Sequence, residues 1–393
     1  MPPLSGRRVW FVGIGGAGLS AYATIAAAWG AEVGGWDRVE TSYLAKLRQH
    51  EIVIAPEPVA PEGWETVVST AYAGQVEGKT RAEFLAELVS LRDAIVVAGA
   101  HGKTTTTGMI AYVLSRLGRD PAFAIGGDVP QLGGNAGTGA GWFVVEGDES
   151  DRTIAALRPK VAVVLNVELD HHTEFASLAE VQALFDEWVL HVPHVVWAER
   201  LEPVDFALTL PGEHNRVNAA AALAALEQCG IDPQEARPHL AEYEGATRRF
   251  QLRGEAGGVR VYDDYAHHPT EIAATLTAAR ELGAHRVLVL FQPHLYSRTR
   301  HLAHEFGGAL AAADAVAVTD VYAAREQNDA GVAGKLVVDA VADARPGLRI
   351  GWMPDAGAGA RWLASLARPG DVVLTVGAGD VDRAASALLE ALS

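Results

Sequence analysis

Apolar, strand-like runs alternate with Ala- and Leu-rich helical stretches along the chain, and this series restarts three times. Each restart follows a Gly-rich or basic junction. Strands that alternate with helices in this way build parallel sheets covered by helices. A chain of 393 residues also exceeds the size of one ordinary domain. The pattern therefore predicts an α/β protein with three domains, at residues 1–92, 93–247 and 248–393.

The overall charge limits the classes of ligand. The chain has 32 Lys and Arg residues against 49 Asp and Glu, a formal net charge of −17, which excludes general attraction to nucleic-acid backbones. The N-terminus lacks the cleavage pattern of a signal peptide, and no apolar run reaches the roughly 18 residues of a membrane helix. The single cysteine, Cys229, permits no intramolecular disulfide. We therefore expect a cytoplasmic protein without nucleic-acid or membrane partners.

A short Gly-rich loop joins a predicted strand at Ala94–Ala98 to a predicted helix at Thr105–Leu117. Glycines let backbone N–H groups surround phosphate oxygens, and a helix N-terminus favours negative charge. Lys103 adds a positive charge, and the hydroxyl of Thr104 can bind Mg²⁺. The loop is shorter than the strict Walker pattern, which would need glycine at Val97. It predicts ATP binding by Gly99, Ala100, His101, Gly102, Lys103, Thr104 and Thr105.

A second Gly-rich loop follows the predicted strand Arg8–Val12 and opens a predicted helix at Leu19–Trp29. Asp37 lies about where an acid binds ribose in dinucleotide folds, so the pattern taken alone suggests NAD. The same loop geometry serves any ligand with a pyrophosphate, and a nucleotide diphosphate is the safer inference. The residues assigned to this ligand are Gly13, Gly15, Gly16, Ala17, Gly18 and Asp37.

Polar runs follow two strands of the central domain, at the carboxyl ends where parallel sheets bind ligands. Glu146 and His171 lie in these runs, and Glu146 with Thr104 offers the oxygen ligands that a hard divalent ion prefers. Asn215 and Asn218 stand at the start of an Ala-rich helix. They either present their amides to an adenine or cap the helix.

Two longer polar runs in the third domain also follow strands. They span residues 262–271 and 292–300, and we expect them to meet at one sheet edge. Their histidines match no common zinc spacing, and imidazole also orients carboxylates by hydrogen bonding. We interpret Arg298 and Arg300 as a fork for a carboxylate or phosphate.

In their order along the chain, the motifs resemble those of the Mur ligase family. The resemblance spans Gly13 to Arg300 and rests on GIGGAG, GAHGKTTTT, EGDESD, NVELDH, GEHNRVNA, TRRF, DDYAHHPTE and QPHLYSRT. It implies an N-terminal Rossmann-like domain for a UDP-sugar and a central P-loop-type ATPase domain. It also implies a Rossmann-like α/β C-terminal domain that closes over ATP and an amino acid.

The resemblance further implies an activity and a role for each site residue. The activity is the ATP-dependent joining of L-alanine to the carboxylate of UDP-N-acetylmuramate through an acyl phosphate, in peptidoglycan precursor synthesis. Two Mg²⁺ ions are implied, with Mn²⁺ as an alternative, in a monomer or homodimer. The implied catalytic residues are Lys103, His171 and Arg249. The other implied contacts are Thr104 and Glu146 with one metal, His171 with the second, Lys103 and Arg249 with phosphate, Asn215 and Asn218 with adenine, Asp264 with ribose, and Tyr265, His267, Arg298 and Arg300 with alanine.

Three alternative functions use part of the same motifs. A murein-peptide ligase would share the fold and attach a whole peptide to the same sugar nucleotide. An NAD-dependent dehydrogenase would explain Asp37 and the first Gly-rich loop, but it gives Lys103 and Thr104 no role. A nucleotide-dependent switch would use the phosphate loop without ligation, and it gives Asp264 and Arg298 no role.

Overall fold

The computed structural model of the chain describes residues 1–169, 174–324, 326–328 and 331–393. The backbone forms two compact units and three β-sheets. The α/β class is therefore confirmed. The ranges of the first unit are Met1–Glu168, Leu178–Ala207 and Val217–Ala246, and those of the second are Leu169–Ser177, Leu208–Arg216 and Thr247–Ser393.

The first sheet of the first unit has five parallel strands in the order β3-β2-β1-β4-β5. The elements are β1 (Arg8–Val12), α1 (Ala17–Ala28), β2 (Glu32–Trp36), α2 (Ser42–Gln49), β3 (Val53–Ile54), β4 (Glu65–Val68), β5 (Lys79–Thr80) and α3 (Arg81–Ser90). Strand β1 is central, so the Gly-rich turn that follows it lies at the carboxyl edge of the sheet. Ligands bind at this edge in open parallel sheets.

The second sheet of the first unit has six strands in the order β11-β10-β6-β9-β7-β8. Only β8 runs antiparallel to its neighbour. The elements are β6 (Ala94–Ala98), α4 (Lys103–Arg116), β7 (Ala122–Val129), β8 (Gly134–Thr138), β9 (Phe143–Glu146), β10 (Val161–Val164), α5 (Leu178–Val189), β11 (His194–Trp197), α6 (Glu213–Gln228) and α7 (Pro233–Ala241). The first unit contains α6 from Val217 onward. Every residue of β6 is buried, which agrees with its uninterrupted apolar sequence.

The sheet of the second unit has the strand order β12-β13-β17-β14-β15-β16, and only β12 is antiparallel. The elements are β12 (Gln251–Ala256), β13 (Val259–Asp264), α8 (Pro269–Glu281), β14 (Val287–Phe291), α9 (Tyr296–His301), α10 (Ala303–Leu310), β15 (Ala315–Val318), α11 (Lys335–Ala344), β16 (Arg349–Trp352), α12 (Ala356–Leu366), β17 (Val372–Val376) and α13 (Ala384–Leu392). Helices α8, α10 and α11 pack in one apolar cluster with the sheet, and α12 and α13 pack in another.

The start of α4 differs from the sequence prediction in a way that matters for the site. The helix begins at Lys103 and not at Thr105. Gly102 has a φ of 85°, which ends the loop and allows the next residue to start the helix. Lys103 and Thr104 therefore stand in the first helical turn, whose backbone N–H groups favour an anion.

Candidate active site

The phosphate loop runs from the end of β6 into α4, and two of its glycines have positive φ values. These values are 135° at Gly99 and 85° at Gly102. A Cβ on Gly99 would lie 2.9 Å from the backbone N and O atoms of Asn166, and one on Gly102 would lie 2.6 Å from Asn218 Oδ1. Both positions require glycine, because a side chain would combine a steric clash with an unfavourable φ.

The backbone of His101 is held in this loop by Asn166. The His101 N–H donates to Asn166 Oδ1 at 2.8 Å, and Asn166 Nδ2 donates to the His101 carbonyl at 3.0 Å. The His101 ring lies 3.3 Å from a carboxylate oxygen of Glu168, measured from Nε2. Ala100 is half-buried beside it. The amide of Asn166 thus fixes the shape of the loop.

Lys103 folds back over the loop toward Glu149. Its Nζ donates to the Gly99 carbonyl at 2.5 Å and lies 3.0 and 3.1 Å from the two carboxylate oxygens of Glu149. Burial alone would lower the pKa of Lys103, but the charges of Glu149 and Asp148 outweigh it and raise that pKa. Burial raises the pKa of Glu149, and Lys103 opposes that shift. The lysine is therefore a fixed positive charge beside the loop.

Thr104 and Glu146 flank the same segment of β7. Thr104 is buried, and its Cγ2 lies 3.6 Å from where a Cβ on Gly127 would be. Glu146 Oε1 accepts a hydrogen bond from the Gly126 N–H at 2.6 Å. The two side chains thus lie beside consecutive glycines, and a hydroxyl with a carboxylate is the kind of oxygen donor set that suits Mg²⁺. His171, predicted as a metal ligand and a catalytic residue, lies outside the described residues.

Arg81 binds two carboxylates of the acidic run Glu146–Asp151. Asp148 Oδ2 and Asp151 Oδ2 accept hydrogen bonds from Arg81 Nη2 at 2.9 and 2.7 Å. Asp148 Oδ1 also accepts from the Ser150 N–H at 3.0 Å. Partial burial raises the pKa of Asp148, but the charges of Lys103 and Arg81 outweigh it and lower that pKa to about 2. Asp148 is therefore anionic at neutral pH.

The remaining residues predicted to bind ATP on the α4 and α6 helices are buried. Thr105 is buried in the first turn of α4. The amide of Asn218 packs on Gly102, as described above, and can support the loop without contacting adenine. Asn215 Nδ2 donates to the Pro211 carbonyl at 2.7 Å, so this side chain fixes the turn that precedes α6. The adenine role of both residues stays a prediction.

The loop Gly13–Gly18 is braced by Asp37. Asp37 Oδ2 accepts a hydrogen bond from the Gly15 N–H at 2.8 Å, and Oδ1 accepts from the Val39 N–H at 3.2 Å. Helix α1 begins at Ala17, so the loop ends in a helical N-terminus. One oxygen of Asp37 thus holds the Gly-rich loop, and the other holds the turn after β2. The prediction that Asp37 contacts the nucleotide stays untested, and the bracing explains an acid here without a ribose.

Asp264 ends β13 in the second unit and is buried. Its carboxylate accepts hydrogen bonds from the Phe250 N–H at 2.8 Å and from the Ala266 N–H at 2.7 Å. Burial raises the pKa of Asp264 to about 6, against the opposing charge of Arg249. The carboxylate therefore holds two backbone segments in place, and its predicted contact with ribose stays a prediction.

Arg249 stands in a strained turn. Its neighbours Arg248 and Phe250 have φ values of 61° and 49°, and such values cost a residue other than glycine about 1–3 kcal/mol each. Arg248 Nε donates to Asp263 Oδ2 at 3.0 Å, and its other nitrogens donate to two carbonyls after β17 at 2.9 and 2.7 Å. The guanidinium of Arg249 lies 5.2 Å from the Tyr265 ring centroid. The anchoring by Arg248 thus fixes Arg249.

The two polar runs of the second unit meet after β13 and β14, as predicted. The ring centroids of Tyr265 and His267 are 5.5 Å apart, and those of His267 and His294 are 5.9 Å apart. Arg298 is buried, and its Nη1 lies 3.3 Å from His294 Nδ1. Arg300 is exposed on the same helix, α9, and the structure does not bring it into this cluster.

Four residues that shape these sites have no role in the predictions from sequence. Glu149, Asn166 and His294 stand inside motifs that had been singled out, so only their roles were missed. Arg81 stands in none of those motifs, and a single sequence contains no pattern that links it to carboxylates 67 and 70 residues away.

Comparison with known proteins agrees with the order of the motifs. Residues 8–92 match the description "Mur ligase family, catalytic domain", residues 97–193 match "Mur ligase middle domain" and residues 248–379 match "Mur ligase, glutamate ligase domain". The chain belongs to the Mur ligase family. The family and the ligase chemistry predicted from the sequence are therefore confirmed, and a dehydrogenase is not favoured.

Other Mur ligases match the whole chain. The UDP-N-acetylmuramate–L-alanine ligase of Streptomyces coelicolor is 40% identical over 458 aligned positions, covering 100% of the chain and 99% of that protein. The ligase of the same name from Mycobacterium sp. (strain JLS) is 39% identical over 472 positions, covering 100% and 96%. The crystal structure of the UDP-N-acetylmuramate-alanine ligase from Thermotoga maritima matches with a TM-score of 0.78 and 27% identity, covering 98% of both chains.

Among the described residues, no helix has the length and apolar character needed to cross a membrane.

Proposed function

We propose that the chain is an ATP-dependent ligase that joins L-alanine to the carboxylate of UDP-N-acetylmuramate. The observation that carries this proposal is the identity of 39–40%, over the full chain, to ligases named for that reaction. The half-buried Lys103 beside a Gly-rich loop supports it, because phosphate transfer needs a fixed positive charge. A murein-peptide ligase is not favoured.

The chemistry follows from the poor reactivity of a carboxylate toward an amine. The carboxylate of the sugar nucleotide attacks the γ-phosphorus of ATP, which releases ADP and leaves an acyl phosphate. The neutral amine of alanine then attacks the acyl carbon, and phosphate leaves as the amide forms. The amine proton passes to a base. ATP cleavage therefore requires the sugar nucleotide, and product formation requires alanine.

The phosphate loop and Glu146 have the properties that the first step needs. Lys103 supplies charge to the β- and γ-phosphates, and the backbone N–H groups of Gly99–Thr105 supply donors. Thr104 and Glu146 hold Mg²⁺ in this proposal, and His171 holds a second ion, with Mn²⁺ as an alternative metal. The metal, when bound, screens the negative charge of the phosphates. The roles of Asn215 and Asn218 toward adenine belong to the same proposal.

Residues of the second unit have the properties that amino-acid binding needs. Arg298 is a buried guanidinium, which suits the carboxylate of alanine, and Tyr265 and His267 adjoin the same cluster. We assign Arg249 to phosphate charge and Asp264 to ribose. The domain boundaries at residues 92 and 247, the cytoplasmic location and a monomeric or homodimeric state complete the proposal.

The test is the dependence of ATP cleavage on both other substrates. Release of ADP and phosphate is measured with UDP-N-acetylmuramate alone, with alanine alone and with both, and the product is identified by mass spectrometry. Serine, glycine and a tripeptide replace alanine in parallel reactions. We expect turnover only with the sugar nucleotide and alanine together. A Lys103→Met variant controls for contaminating ATPases, and turnover that needs neither substrate would refute the proposal.

A further inference from the structure

Arg81 lies between the Gly-rich loop after β1 and the acidic run Glu146–Asp151. It is the first residue of α3, whose N-terminus is fixed by a capping box between Thr80 and Glu83. Nη2 of Arg81 donates to Asp148 and Asp151 of the acidic run. The guanidinium is thereby held in one orientation, because both its backbone and its far end are fixed.

The other edge of the guanidinium faces the Gly-rich loop after β1. Nη1 of Arg81 lies 3.6 Å from where a Cβ on Gly18 would be, which places it over the first turn of α1. Both hydrogen bonds to the acidic run come from Nη2, and within the described part of the chain the buried Nε has no hydrogen-bond partner. A planar guanidinium offers five N–H donors in a rigid fork. Nη1 therefore lies on the side of the Gly-rich loop, and the acidic run does not use its N–H groups.

We infer that Arg81 bridges the Gly-rich loop after β1 and the acidic run: it binds the diphosphate of the sugar nucleotide on the Gly18 side and holds Asp148 and Asp151 on the other. The nature of the ligand, a nucleoside diphosphate, rests on the proposed function. The first turn of α1 contains no acidic residue that would repel this ligand. Helix N-termini attract anions, and an arginine beside one adds bidentate hydrogen bonding.

The bridge connects the diphosphate to the charge that serves ATP. Glu149 lies in the same acidic run and binds Lys103 Nζ at 3.0 Å. Without Arg81, the carboxylates of Asp148 and Asp151 would face the diphosphate uncompensated and would repel it. With Arg81 held from both sides, the acidic run keeps the geometry in which Lys103 is fixed. Each nucleotide should therefore favour binding of the other, and linkage requires the two effects to be equal.

The test measures binding of UDP and ADP to the full chain by calorimetry, so it does not depend on ligation. In the wild type, saturating UDP should tighten ADP binding by about fivefold or more, and saturating ADP should tighten UDP binding by the same factor. In Arg81→Gln, UDP affinity should fall by about tenfold or more, and both linkage factors should fall to one. Arg81→Lys should regain part of the UDP affinity without the linkage, because one ammonium cannot serve both sides.

Arg7 offers a matched control in the same domain. It also binds two carboxylates, Glu65 and Glu87, and its side chain is 23% exposed against 20% for Arg81. It stands at the opposite end of β1 from the Gly-rich loop. Arg7→Gln should keep both affinities and the linkage, which separates the bridge from general loss of an ion pair.

The outcomes discriminate. Equal linkage in Arg81→Gln and wild type would overturn the bridge. Absence of linkage in the wild type would also overturn it, even if Arg81→Gln bound UDP more weakly. If Arg81→Gln fails to fold, the linkage in Arg81→Lys decides, and wild-type linkage there would overturn it. Dependence of ATP cleavage on UDP-N-acetylmuramate is assayed separately in the wild type. Its absence would refute the proposed function, while UDP–ADP linkage would still decide the role of Arg81.

Discussion

Replacing Asp264 with Asn should change how the stability of the second unit depends on pH. Asp264 is 8% exposed, and its pKa is raised from 3.8 to about 6, chiefly by burial. Because the pKa in the folded state lies above the unfolded value, the contribution of Asp264 to stability is fully present below pH 3.8. It is lost as the pH rises through about 6.

The size of the effect follows from the shift in pKa. The pKa of Asp264 is about 2 higher in the folded state, which corresponds to about 3 kcal/mol of unfolding free energy, since a change of one in pKa is worth about 1.4 kcal/mol. The linkage relation assigns about 2 kcal/mol of this loss to the interval between about pH 4.5 and pH 7.5. Asn resembles the protonated carboxyl in shape and cannot ionise. The stability of Asp264→Asn relative to wild type should therefore rise by about 2 kcal/mol across that interval.

The assay is hydrogen exchange followed by mass spectrometry on peptides that cover β13 and β17. Exchange of these core amides reports the free energy of opening without assuming that the whole chain unfolds in one step, provided that rates are corrected for intrinsic exchange at each pH. Asp320→Asn, at an exposed position of the same unit, controls for the loss of one negative charge. If the stability of Asp264→Asn relative to wild type stays constant within about 0.5 kcal/mol from about pH 4.5 to 7.5, ionisation of Asp264 does not destabilise the folded state by the expected amount.

Two further predictions concern the loops and the amino-acid cluster. Gly102→Ala should raise the KM for ATP by about tenfold or more in steady-state assays, because its Cβ would lie 2.6 Å from Asn218 Oδ1. Gly118→Ala shares the positive φ (67°) but meets nothing within 4 Å, so it should only lower stability by about 1 kcal/mol; equal KM values for the two variants would contradict the steric argument. Arg298→Lys should raise the KM for alanine about tenfold or more while the KM for ATP stays constant. The substitution removes a buried guanidinium that can bind a carboxylate through two N–H groups. The exposed Arg300→Lys should leave both unchanged, and similar effects of the two substitutions would argue against a special role for Arg298.

Features that depend on a few neighbouring residues could be predicted from the sequence. The strand Ala94–Ala98 has the predicted bounds, because an uninterrupted apolar run of that length suits a central parallel strand. Helix α4 begins two residues before the predicted start at Thr105, since its start depends on the left-handed conformation of Gly102. A single sequence does not specify which glycine of a loop adopts that conformation.

Contacts between distant strands could not be predicted. Asn166 supports His101 because β10 lies beside β6 in the sheet, although β7, β8 and β9 intervene along the chain. Arg298 and Arg300 have the same residue type and nearly the same sequence context. Only the packing of α9 buries the first and exposes the second.

The sequence by itself determined the α/β class, the family and the two Gly-rich loops, because these follow from periodicity and from the chemistry of short motifs. The tertiary structure decided what each charged group binds. Asp37, after β2, braces the Gly-rich loop after β1, Lys103 pairs with Glu149, and Arg81 reaches from α3 to the acidic run. Such pairings depend on strand order and burial, which bring together groups that no local spacing relates.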